Sequence, residues 1–284
     1  MVRTATTRDV PDGAVAAADR PPFRTILGLA RYLTVCGIAG IVAGIVVGGA
    51  GGRLFMRIAG AAGGERAAGA TTEAGFTVGE ITLEGTLGLI VFVGIFAGIV
   101  GAALYVVFRP WLSWAGRWRG VAFGIVLFAV GSATSDVLNP DNFDFVLLGN
   151  EALIVAMIVA LFVGFGALVD PVARWLDGRL SQVGRKPISS GWYAPVAILG
   201  VVLGTAALAT SMFTRGTCDC DPPIVASIFI AVAAAGTLAW LASAFSGSAR
   251  LPPIARVLGF VGLAGATAAG LVRAIGDAVL ILRG

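Results

Sequence analysis

The sequence predicts an all-α, polytopic transmembrane bundle of about seven helices, with the N-terminus cytoplasmic and the C-terminus outside. Three observations carry this. Of 284 residues, 57% are hydrophobic and only 13% charged, where a soluble domain carries about 25% charged residues; the mean hydropathy is +0.92. The apolar residues fall in long runs, several of them exceeding the roughly 18 residues that mark a membrane-spanning helix. The basic residues gather in alternate connectors, the pattern that fixes orientation in a bilayer. A soluble enzyme, a disordered chain and a coiled coil all fit these observations poorly.

The segment 1–24 is polar and rich in Ala, Asp, Arg and Pro, which reads as a disordered cytoplasmic tail. Apolar runs then follow near 32–52, 85–108, 120–135, 152–169, 193–213, 223–245 and 257–280. Inside hydrocarbon every backbone polar group must be paired, so such runs are helices; barrel strands would alternate in polarity, and these do not. The chain divides into a block at 25–186, holding spans one to four, and a block at 187–284, holding spans five to seven. With the N-terminus inside, the inner connectors hold 14 basic residues and the outer ones 6, while the acids divide as 5 inside and 11 outside. The inner face is then strongly positive. Arginine supplies nearly all of that charge, Lys186 being the single lysine, so it is close to permanent.

The connectors look like membrane interface rather than domains. Arg109-Pro110-Trp111-Leu112-Ser113-Trp114 and Arg117-Trp118-Arg119 put three indoles and three guanidiniums at headgroup depth, as an aromatic and basic anchor does. Asp170-Pro171 reads as a helix start with a capping carboxylate. It would open a short interfacial helix over 171–182, with Val172, Trp175, Leu176 and Leu180 on one face, lying on anionic lipid at the cytoplasmic side. The outer loop 53–85 begins with Arg53 to Arg57, which continue the first helix, and ends in a strand-like stretch at 76–83.

Four features invite functional readings. Gly40, Gly44, Gly48 and Gly52 form three overlapping GxxxG steps on one helix face, which serve close helix packing within the chain or across a homodimer, or else line a pore; Gly94 and Gly98 would belong to the facing surface. Arg273 and Asp277, one turn apart, form an intramembrane pair that either caps the bundle or gates it. Glu80, Glu84, Asp136, Asp141, Asp144 and Glu151 form an outer acidic cluster, either helix-capping groups or a vestibule that concentrates cations. Cys218 and Cys220, with Met212 nearby, could hold a soft metal or remain ordinary thiols.

Absences narrow the chemistry. Without histidine there is no His-based acid–base catalysis, haem ligation or His-bound zinc. No Walker A sequence occurs, the seventh span lacks a Schiff-base lysine, and the spacing of the acids is not that of an EF-hand. No catalytic residue, cofactor or resident metal is assigned, and nucleic acid is not a partner. The expected partners are the lipid bilayer, anionic lipid at the cytoplasmic face, and a second copy or a membrane partner; the expected location is the plasma membrane. Three functions remain: a permease or channel-like protein for a small solute or cation entered from the acidic face, a non-transporting scaffold or accessory subunit, and a lipid-directed membrane enzyme using paired carboxylates. A polar cavity reaching the midplane would favour the first, and a dry, glycine-packed centre the second.

Overall fold

The computed structural model describes residues 26–67, 83–134, 137–141, 150–180, 192–200, 202, 224–243, 245 and 253–283. Every regular element among them is a helix. Four stretches are long and apolar enough to cross a membrane: Ile26–Gly64, Leu83–Ser132, Glu151–Arg179 and Pro253–Arg283. The sequence thus specifies a membrane-compatible helical protein, because runs of this length have no other way to satisfy their backbone in hydrocarbon.

The first stretch joins α1 (Ile26–Ala43), a π-helical segment (Gly44–Gly51) and α2 (Gly52–Ala67). Arg53 to Arg57 therefore do continue the first helix. The second stretch holds α3 (Leu83–Gly88), a second π-helical segment (Leu89–Phe96), α4 (Ala97–Phe108), a 3₁₀ connector (Arg109–Trp118) and α5 (Arg119–Thr134). α6 (Glu151–Arg179), α7 (Ile224–Ser243) and α8 (Pro253–Arg283) complete the described helices. The strand-like residues 76–82 and most of the expected fifth span at 193–213 lie outside the described residues.

Glycine neighbours set the helix directions. Gly40 faces Gly98 and Ala102, Gly44 faces Gly94 and Gly98, Gly48 faces Val93, and Gly52 faces Leu89, so the first and second helices run antiparallel. Gly120 faces Gly166 and Asp170, and Gly124 faces Phe162 and Val163, which makes α5 and α6 antiparallel too. Gly51 meets Leu161 while Arg31 meets Asp177, setting α6 against α1. The chain must therefore reverse between α4 and α5. Gly116 makes that possible at φ +53°, a backbone conformation that residues with a Cβ rarely adopt. α7 and α8 pair antiparallel through Gly236, Gly259 and Gly262, and Gly270 sets α8 against Ala129 of α5.

At these seams the helices approach almost backbone to backbone. A methyl group at Gly40 would come within 2.5 Å of the Gly98 carbonyl oxygen, and one at Gly124 within 2.6 Å of Val163 Cα. Such closeness is how helices associate where lipid removes the hydrophobic drive. The larger side chains fill the space between seams: Tyr105, Phe108, Phe123, Val35 and Val169 are fully or almost fully buried, with Tyr105 and Phe123 edge to face at 5.0 Å between centroids.

One expected element differs. Asp170-Pro171 does not start a helix; α6 runs unbroken from Glu151 to Arg179 with Pro171 inside it. Proline forfeits one backbone bond, which costs a helix in water far more than one packed among neighbours that can re-satisfy the freed carbonyl. Residues 171–179 are therefore the last turns of α6.

Candidate functional site

Charged side chains concentrate at the two ends of this bundle, and the ends differ. Where α1 begins, α4 ends, α5 begins, α6 ends and α8 begins, the described side chains include Arg31, Arg109, Arg117, Arg119, Arg174, Arg179 and Arg256, against Asp170 and Asp177. At the opposite end lie Arg53, Arg57, Arg273 and Arg283 together with Glu84, Asp141, Glu151 and Asp277, of which Arg273 and Asp277 form an ion pair. Among the described side chains one end is strongly positive and the other balanced.

The positive end is built around Asp170, whose side chain has no exposed surface. Tyr105 Oη donates to Asp170 Oδ1 at 2.6 Å. Arg119 Nε donates to the same oxygen at 2.7 Å, and Arg174 Nη2 lies 3.0 Å from Oδ2. Three helices thus meet at one carboxylate: α4 through Tyr105, α5 through Arg119, and α6 through Asp170 and Arg174. The glycine contact of Gly120 with Gly166 and Asp170 lets α5 come close enough for Arg119 to reach in.

Tyr105 also serves a second cluster. The Arg109 guanidinium carbon lies 5.6 Å from the Tyr105 ring centroid and 5.2 Å from that of Tyr32, distances at which a cation is attracted to an aromatic face. Arg109 Nη1 is 3.9 Å from the sulfur of Cys36, a buried free cysteine. Beside this, Arg31 ties the start of α1 to the end of α6. It donates to Asp177 Oδ1 at 2.5 Å and to the carbonyls of Asp177 and Leu180 at 2.6 and 3.1 Å, a cation placed on a helix C-terminus where the dipole favours it.

The indoles expected at headgroup depth separate. Trp114 and Trp118 are exposed, but Trp111 is only 2% exposed. Its Nε1 donates to Thr237 Oγ1 at 3.0 Å, and that hydroxyl lies 2.8 Å from the Val107 carbonyl and 3.0 Å from the Ala233 carbonyl. Trp111 therefore joins the second helix to α7 instead of anchoring in lipid. Trp175 and Trp192 are exposed as well, and Arg117 and Arg179 lie over Trp118 and Trp175 at 5.3 and 5.2 Å.

The sequence-predicted residues distribute as follows. Gly40, Gly44, Gly48 and Gly52 all face the second helix of the same chain. Arg273 and Asp277 pair at 3.5 Å, each side chain 18% exposed, next to the cluster of Ala59, Phe128, Leu138, Ile154, Ala274 and Ile281 at the balanced end. Of the acidic residues, Glu80, Asp136 and Asp144 lie outside the described residues, as do Met212, Cys218 and Cys220. Glu84 and Glu151 stand in the first turns of α3 and α6. Asn150 Oδ1 accepts from the Leu153 N–H at 3.2 Å as the N-cap of α6, and Asp141 donates its backbone N–H to Asn139 Oδ1 at 2.9 Å. No group of three or more metal-ligating side chains occurs among the described residues.

Sequence reasoning missed the Asp170 centre and the role of Arg109. A signal for the first was present: Asp170 and Arg174 are four apart in the favourable acid-before-base order, at the end of an apolar run.

No protein-family model matches the chain, and neither a curated protein nor a solved structure does.

Proposed function

We propose that this protein is a non-transporting membrane scaffold or accessory subunit. The observation that carries the reading is close glycine packing among the described helices: the seams at Gly40, Gly44 and Gly48, at Gly120, Gly124 and Gly166, and at Gly236, Gly259 and Gly262 each bring backbone against backbone. Packing this close leaves little room for a hydrated path along those seams. The charges sit in end clusters that pair with one another and tie helix ends together. Because the glycine ladder of the first helix is occupied within the chain, contacts with other molecules fall to the outward faces, where Phe92 and Phe96 are exposed and stacked at 6.1 Å. In this reading the arginine-rich end faces the cytoplasm, as the positive-inside rule favours, and the membrane is the plasma membrane.

The test is flux. The full chain is reconstituted in vesicles loaded in turn with monovalent cations, divalent cations, amino acids and sugars. Gradients should decay as in protein-free vesicles. Any solute whose flux rises in proportion to protein content, and saturates with concentration, overturns the scaffold reading in favour of the permease.

A further inference from the structure

Arg109 has an unusual environment for a guanidinium in a membrane-embedded chain. Around it at the positive end, Arg31 is bound to Asp177, and Arg119 and Arg174 to Asp170. Arg109 instead contacts two tyrosine rings and a thiol, and no carboxylate among the described residues pairs with it. Aromatic faces attract a cation but do not neutralise it. Tyr105 links the two sets, its ring beside Arg109 and its hydroxyl on Asp170. Arg119 and Arg174 share the single carboxylate of Asp170, and Arg109, linked to it through Tyr105, adds a third guanidinium, leaving an excess of two positive charges in this set.

The depth of this excess is marked by the exposed indoles of Trp114, Trp118 and Trp175, residues that settle at the headgroup level of a bilayer. The abundant anion at that depth is the lipid phosphate. Arginine's planar fork matches its oxygens in a way that a point charge does not. Arg174 keeps 47% of its side-chain surface and Arg119 keeps 20%, so both can reach outward while remaining on Asp170. We propose that Arg109, with Arg119 and Arg174, binds the phosphate of an anionic phospholipid at this end of the bundle, a site independent of whether the chain transports anything.

The experiment uses the full chain, delipidated in neutral detergent, with native mass spectrometry to follow bound lipid. Phosphatidylglycerol should be retained in preference to phosphatidylcholine. Arg109→Gln should weaken retention by about tenfold, the scale of one charge-assisted hydrogen bond, while Arg117→Gln should leave it unchanged. Inorganic phosphate should not displace the lipid. Equal retention of the two lipids, equal losses in the two variants, or displacement by inorganic phosphate at matched concentration would overturn the proposal; the last would assign the site to a free anion. Should Arg109→Gln fail to fold, the wild-type chain still decides. At about 1 M salt the screening length falls to about 3 Å, so a built site keeps its phosphatidylglycerol, and release there means diffuse surface attraction and refutes the site.

Discussion

Replacing Asp170 by Asn keeps the shape of the central side chain and removes its charge. Its Oδ1 accepts from Tyr105 at 2.6 Å and from Arg119 at 2.7 Å. Bonds to an ionised acceptor are worth about 1.5–3 kcal/mol and neutral ones about 0.5–1.5 kcal/mol. Asparagine still offers an oxygen, so both bonds weaken instead of vanishing. Its amide would face Arg174, but that side chain is 47% exposed and can turn to the headgroups at little cost. The net loss should be about 2–3 kcal/mol. Asp170→Ala, which leaves the buried Tyr105 hydroxyl without its acceptor, should cost about 3–5 kcal/mol, the usual scale for removing one member of a buried charged pair. Adding Tyr105→Phe to Asp170→Ala should cost less than the sum of the two single changes, because no orphaned hydroxyl remains. Reversible unfolding in mixed detergent micelles titrated with SDS measures each variant. If Asp170→Asn falls within about 0.5 kcal/mol of wild type, the range of an inconsequential surface change, Asp170 is not the tie between three helices.

Two further predictions use the same assay. Gly44→Ala drives a methyl group onto the Gly94 carbonyl oxygen, whereas a methyl at Gly37 meets nothing within 4 Å. Gly44→Ala should therefore destabilise by about 1–3 kcal/mol through overpacking, and Gly37→Ala should be neutral or stabilise by up to about 1 kcal/mol through helix propensity; equal effects would contradict the antiparallel seam. Thr237→Val strips Trp111 Nε1 of its acceptor and should cost about 1–3 kcal/mol, with a change in tryptophan fluorescence. Adding Trp111→Phe should recover part of the loss, and no recovery would break the link between the connector and α7.

Much of the architecture was legible because its physical cause is local. Long apolar runs demand helices wherever they occur, and a glycine every fourth residue from Gly40 to Gly52 marks one face whatever it meets. The partner face could be guessed at Gly94 and Gly98 because close approach needs small residues on both sides. What could not be read depends on where distant parts of the chain meet. Asp170 before Pro171 looks like a helix start, since capping and proline geometry are the local meaning of that pair; only the arrival of Tyr105 and Arg119 from two other helices makes it a buried centre. Likewise Trp111 has the composition of an interfacial anchor, and Thr237 turns it inward, while Arg109 is held between Tyr32 and Tyr105 and beside Cys36. Exposed Trp114 and Trp118, which have no such inward partner, stay where their chemistry puts them.

A single thiol in the middle of the first helix tests the closed centre most directly. Ala43, fully buried beside Gly40 and Gly44, is changed to Cys in a chain whose three native cysteines are replaced by Ala. The protein in vesicles is then exposed to a charged, water-borne thiol reagent from each side. Labelling should appear only after unfolding in SDS; rapid modification of the folded protein from either side would mean that water reaches the midplane.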